Sequence, residues 1–256
     1  AKAVAGDFGV GVENADLGLF FSSAGRVLEA RGGLYVNLGD QVSLSADTVA
    51  VRWNTTSVDF SNEALTAAGL GYTYGPGLVA GLQEVAIGGA TLKVGNFIQA
   101  SGNLAVRRGT QTTITLADTN TSDATPGEVV TVNQLTLGGK DLTGQVGLNA
   151  GTGDFVGLSL EDLDLAMAVF SDSADAARQW QALKASAGSV SFEGIDGLDI
   201  GADTLTVQYN TAASGLAVVD FSGTHKFDVL VAPGENVTLD MAGSEGRLLQ
   251  AAGNVN

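Results

Sequence analysis

Apolar residues recur at every second position over most of the chain, and short segments rich in Gly, Asn and Asp interrupt the alternation. Val10 and Val12, then Leu17, Leu19 and Phe21, share a face in this way, as do Val42 with Leu44 and Val49, Val51 and Trp53. The same period returns at Val85/Ile87, Leu92/Val94, Leu104/Val106, Ile114/Leu116, Leu135/Leu137 and Leu158/Leu160. A period of two is that of half-buried strands, so the fold expected is all-β, elongated and mainly antiparallel, with a parallel β-helix as the alternative. Gly32-Gly33, Gly39-Asp40, Gly88-Gly89, Gly138-Gly139, Asp196-Gly197 and Pro233-Gly234 read as the tight reversals between strands. One helix is expected over Ser173–Lys184, where alanines and glutamines are good helix formers and Ser173 can cap. Phe60–Gly71 is a weaker second candidate.

An internal repeat organises the chain. Leu34–Thr55 aligns without gaps on Val190–Thr211, placing Ala46-Asp47-Thr48 on Ala202-Asp203-Thr204, Trp53 on Tyr209, and Asn54-Thr55 on Asn210-Thr211. Upstream, Gly6-Asp7-Phe8 matches Gly153-Asp154-Phe155, and an insertion around Asp172–Gln179 accounts for the drift in offset. Downstream, Val58-Asp59-Phe60 matches Val219-Asp220-Phe221, and Ile98–Leu104 is similar to Leu249–Val255. Two β modules follow, 1–150 and a truncated 151–256, joined without a Pro- or Ser-rich linker and expected to stack directly as a window of a longer array. Within each module the alternate apolar residues are expected to enter a core and the intervening polar residues to face out. Asn54 and Asn210 read as turn residues tolerant of left-handed geometry, with a glycan on the Asn54-Thr55-Thr56 sequon as the minor reading.

Composition narrows the chemistry. The chain of 256 residues carries 28 Asp and Glu against 12 Lys and Arg, a formal charge of −16, which argues against a nucleic-acid partner. With no Cys, it has no disulfide, thiolate-metal or thiol-nucleophile chemistry. No uninterrupted apolar run is long enough to suggest a membrane span. The first residues are too short for a signal peptide and there is no initiator Met, as in a processed product or a piece of a longer chain.

Few residues offer catalysis. His225, with Asp228 nearby in sequence, lacks a partnering nucleophile, and Glu161, Asp162 and Asp164 could supply an acid and a base but read as a solvated face. The paired Arg107-Arg108 reads as edge protection or a local ion pair. Gly6, Gly9 and Gly11 do not make a dinucleotide fingerprint, because β alternation continues through Val12. Calcium is the cofactor the sequence suggests: Asp118, Asn120, Ser122 and Asp123 place oxygen donors in one loop, although it lacks the glycine and terminal acid of a helix-loop-helix site. Asp196, Asp199 and Asp203 form a second acidic group, aligned by the repeat with Asp40, Ser43 and Asp47. No tandem nine-residue series supports a calcium roll.

The phrase Gly194–Thr211, GIDGLDIGADTLTVQYNT, with Leu135–Gly144, LTLGGKDLTG, resembles repeat modules of very large bacterial exported and cell-surface proteins, adhesin-like or filament-like. The resemblance implies an extracellular or cell-surface, non-enzymatic structural role and carries no catalytic residue. The expected function is a structural or spacer segment of an extracellular filament, sheath or adhesin that self-associates. The alternative is a carbohydrate-binding module that stacks a surface glycan on Trp53, Tyr72, Tyr74 or Trp180.

Overall fold

In the computed structural model, which describes residues 2–5, 8–39, 42–67, 69–118, 127–195, 197–198 and 200–255, almost every long segment is a strand of one antiparallel sheet. The strands are β1 (Lys2–Ala5), β2 (Phe8–Ser22), β3 (Gly25–Leu38), β4 (Val42–Asn54), β5 (Ala64–Ala67), β6 (Leu70–Thr73), β7 (Gln83–Val94) and β8 (Ile98–Arg108). They continue with β9 (Thr112–Thr115), β10 (Val129–Leu148), β11 (Val156–Asp172), β12 (Gln179–Glu193), β13 (Ile200–Ala212), β14 (Phe227–Ala232), β15 (Glu235–Leu239) and β16 (Leu248–Val255). Eleven of them follow the order β1-β2-β3-β4-β7-β8-β10-β11-β12-β13-β16, with β9 also paired to β10. At ~4.8 Å per strand this sheet runs about 48 Å across its strands, which makes the fold elongated. All pairings are antiparallel, so the parallel β-helix does not apply.

The helix expected over Ser173–Lys184 is absent. Ser173–Arg178 is a turn and Gln179–Glu193 is a strand whose Trp180 and Ala182 are buried. Helix propensity here yields to tertiary pairing, since β12 is hydrogen-bonded to β11 on one side and β13 on the other. The weaker segment Phe60–Gly71 contains β5 and the start of β6.

Two excursions leave the meander and fold back on one face of the sheet. Residues 55–82, with hairpin β5-β6, make a small core from Val27, Tyr74, Leu78 and Leu82, packed against Phe20 and Phe60. Phe60 sits 5.4 Å from Phe20 and edge-on to Tyr74 at 5.9 Å, an arrangement aromatic quadrupoles favour. The excursion 213–247, with hairpin β14-β15, joins the segment around β9 over β10 to β13. There Phe170, Trp180, Phe221, Val229 and Leu239 are fully enclosed. Ala166, Ala168 and Ala182 line the sheet beneath, small enough to admit a second layer. The closest approach is at Gly138, where a Cβ would overlap the carbonyl of Leu230.

The sheet is long because its strands are, and each long strand bends at about the same height. Asn14, Asp141, Asp162 and Thr204 all have φ between 48° and 52°, and Gly89 (62°) and Gly102 (135°) continue this line across the sheet. Register shifts accompany it, between Glu13 and Asp16, Ile87 and Ala90, and Asp203 and Thr206. This is a transverse seam of β-bulges, each adding a residue and a twist. Gly32-Gly33, Gly88-Gly89 and Gly138-Gly139 therefore lie inside strands near the seam and do not reverse the chain, whereas Pro233-Gly234 does close β14-β15.

The repeat has a spatial counterpart. β2-β3-β4, an excursion, then β7 pairing β4 is matched by β11-β12-β13, an excursion, then β16 pairing β13. The insertion lies in the β11-β12 connection, which closes through Ser173–Arg178 where β2-β3 closes through Ser23-Ala24. Ile98–Leu104 lies on β8, so the spatial counterpart of Leu249–Val255 is Gln83–Gly89 on β7. The boundary at 150/151 falls in the β10-β11 turn, and the two strands pair from Val132↔Asp172 to Leu148↔Val156.

Candidate functional site

The alternation read from sequence has the correct period, but its faces are reversed. Directly paired residues in an antiparallel sheet share a side, so registers can be followed across strands. One row runs Leu17–Ala30–Val51–Val85–Val106. It continues Leu137–Met167–Leu183–Tyr209–Leu249, ten strands with an apolar or aromatic residue on each. Among the described residues neither excursion covers this face. Leu17 is 60 % exposed, Val106 45 % and Trp53, in the next row, 45 %. The polar residues between them, expected outside, lie under the excursions: Glu29, Asn54 and Asn210 are buried, and Arg52 nearly so.

Beyond the seam a second apolar row, Val36–Leu44–Leu92–Ala100, passes to Gly144–Leu160–Val190–Ala202. Its side follows from Leu142, which sits against Gly139 and Gly102 close to Leu104 and keeps regular alternation with Gly144. The extra residue in β2, β4, β7, β10, β11, β12 and β13 shifts the parity of their apolar positions at the seam and so keeps them on one side, whereas β3, β8 and β16 hold a single parity throughout. Leu158 and Val146, 50 % and 57 % exposed, lie next to this row, whereas Gly157 and Ser159 are buried.

Opposite this surface lies a ladder of alternating charge on the covered face. Glu29, Arg52, Glu84 and Arg107 are directly paired on β3, β4, β7 and β8. Arg52 Nη1 donates to Glu84 Oε1 at 3.1 Å and Arg107 Nε to Glu84 Oε2 at 2.7 Å. Arg52 Nε stands 3.4 Å from Glu29 Oε1 as an ion contact without hydrogen-bond alignment. Fully buried Glu29 also accepts from Gly75 N–H (2.7 Å), Arg31 Nη2 (2.7 Å) and Tyr72 O–H (3.1 Å), which ties hairpin β5-β6 to the sheet. Burial raises the Glu29 carboxyl, but the Gly75 amide, the Arg31 guanidinium and the Tyr72 hydroxyl together outweigh it, so its pKa lies below the ordinary value. Burial, then the Glu29 charge, pushes the Tyr72 phenol up to about 12. Every charge in the ladder is partnered, so it anchors the excursion and leaves no group poised for chemistry.

Asn54 and Asn210 are brackets. The Asn54 amide donates to the carbonyls of Val58 (2.8 Å) and Leu78 (3.1 Å), and Asn210 donates to that of Val219 (2.8 Å). Neither has positive φ, so the left-handed turn role is corrected. The Asn54 side chain is wholly buried and its Oδ1 accepts from Thr56, which makes the sequon inaccessible in the folded chain. Asp59 and Asp220, at the same step of each Val-Asp-Phe-Ser, both accept from the serine N–H two residues on.

The other candidates do not converge. His225 is 3.8 Å from Asp220, while Asp228 accepts from Thr238. Asp164 pairs with Lys140, Glu161 accepts from Ser189, and left-handed Asp162 interrupts the alternation assumed for them. Arg107 is an ion-pair residue, and β8 is an interior strand, not an edge. Of the calcium residues Asp118, Asn120, Ser122 and Asp123, only Asp118 lies within the described residues, as does only Asp203 of the second group. Among the described residues no three His, Cys, Asp or Glu converge as metal ligands. Of the proposed sugar platform, Trp180 and Tyr74 are buried and the Tyr72 hydroxyl is bonded to Glu29, which leaves Trp53 on the open face. A polar hollow at the seam, of about 580 Å³, is lined by Glu13, Asn14, Arg31, Asp47 and Thr48, with both signs of charge. Among the described residues no helix is long and apolar enough to cross a membrane. Comparison with protein-family models, curated proteins and solved structures finds no match to this chain.

Proposed function

We propose that this chain is a structural spacer segment of an extracellular filament, sheath or adhesin, built by adding strands side by side to one continuous sheet. The observation that carries the reading is the junction of the two similar units. β10 and β11, joined by residues 149–155, pair from Val132↔Asp172 to Leu148↔Val156, so one unit passes to the next without a hinge. Rigidity in such a segment comes from ladder hydrogen bonds, and each excursion locks its own part of the sheet through a buried Asn bracket. Among the described residues the outermost strand β16 is paired on one side only, to β13, and so offers a ladder on which a further strand can pair. The excess of acidic residues, 28 against 12 basic, keeps such a sheet soluble. Small-angle scattering across concentration tests the reading. An elongated particle that lengthens as chains associate supports it, and a compact monomer at every concentration overturns it.

A further inference from the structure

We infer that the uncovered apolar face is an interface on which a second copy of this chain docks face to face, closing a two-layer β-sandwich. Excursions cover one side of the sheet, and the other keeps an apolar row across ten strands, with parallel rows above and below it. Ten strands at ~4.8 Å, each contributing about eleven residues at ~3.3 Å, make a surface of about 1,700 Å². A stable dimer needs ~800 Å² per partner, so half of this face suffices. Monomeric proteins rarely leave contiguous apolar patches of more than a few hundred Å².

Charge selects the occupant. The chain carries −16, yet the rows through Val51, Trp53, Val49, Leu44 and Val42 contain no Asp or Glu, and their only charged member is Arg108 at the Gln83 pairing. A two-fold related copy presents the same patch to itself, which works only where like charges do not oppose. The acidic side chains among the described residues lie at the seam, in the turns and on the covered side, where they stay in water or in ion pairs after docking. Two sheets packed in this way stand ~10 Å apart with interdigitating side chains.

The test is sedimentation equilibrium of the intact chain, with Val106→Glu and Leu158→Glu as separate variants and Gln250→Glu/Ala252→Glu on outermost β16 as the edge control. Face docking gives a wild-type dimer whose dissociation constant rises at least tenfold in both face variants, with unchanged far-ultraviolet circular dichroism. The edge control retains the dimer. A wild-type monomer at ~100 µM overturns the inference, and flotation of that monomer with phosphatidylcholine vesicles would reassign the face to lipid. Association lost in the edge control but kept in both face variants also overturns it, while leaving the proposed edge growth of the sheet intact.

Discussion

Removing the Glu29 carboxylate is the sharpest perturbation of the covered face. In Glu29→Ala the Gly75 N–H loses its 2.7 Å acceptor, the Tyr72 hydroxyl its 3.1 Å one, and Arg52, only 13 % exposed, keeps Glu84 alone as its carboxylate partner. Breaking a buried ion pair from one side costs about 3–5 kcal/mol. Arg31, at 47 % exposure, recovers water, which places the expected loss at the lower end, about 3 kcal/mol. For a chain of this size that is a fall in Tm of roughly 6–12 °C. Glu29→Gln keeps an acceptor for Gly75 and should lose about half as much. Calorimetry and urea unfolding at pH 7 measure both, and hydrogen exchange should localise the loosening to β5-β6. The difference between wild type and Glu29→Ala should also shrink in acid. A carboxyl whose folded pKa is depressed contributes its full stability above the unfolded value and loses it as pH falls through the folded one. A loss below about 1 kcal/mol at pH 7, or one that does not change between pH 7 and pH 3, refutes the claim that this ladder anchors the excursion.

Asn54→Ala and Asn210→Ala should each cost about 1–3 kcal/mol in urea unfolding, because each strands buried carbonyls at the same step of its unit. A large effect at one and none at the other would separate the two units. Gly138→Val should prevent β14 from seating against β10 and expose the cluster around Trp180, read as a red shift in tryptophan fluorescence, whereas Gly153→Val, in open space, should leave the spectrum unchanged. In spectrophotometric titration, Tyr72→Phe should remove a phenol that ionises near 12, later than an ordinary tyrosine. Because that folded pKa is raised, the contribution of Tyr72 to stability is present below pH 10 and lost as pH climbs toward 12.

The strands were legible because alternation depends only on neighbours in sequence, and Val49-Ala50-Val51-Arg52-Trp53 states it plainly. Which side of that alternation is covered was not legible. Apolar residues were expected inside, yet Arg52 and Asn54 lie under the excursion and Val51 and Trp53 face out, because the ladder and the bracket satisfy the buried polar groups. The ladder itself joins Glu29, Arg52, Glu84 and Arg107 from four strands, and only the topology brings them into register. The available signal was a charge set beside apolar neighbours, on both sides in Leu28-Glu29-Ala30 and Val51-Arg52-Trp53 and on one side in Gln83-Glu84-Val85 and Val106-Arg107-Arg108. The helix read over Ser173–Lys184 failed for a related reason. Its alanines reflect an Asp-capped turn and a site beneath β14-β15 where only small side chains fit. The glycine pairs misled because a strand bulge needs a left-handed residue just as a turn does, as at Gly89.

Electron diffraction or cryo-electron microscopy of the native material tests the central claim most directly, since a sheet that grows by adding strands places every strand across the long axis. Strands added side by side give ribbons with a ~4.8 Å repeat running along their length. Separate globular particles, or fibres whose ~4.8 Å spacing lies across the axis, would contradict it.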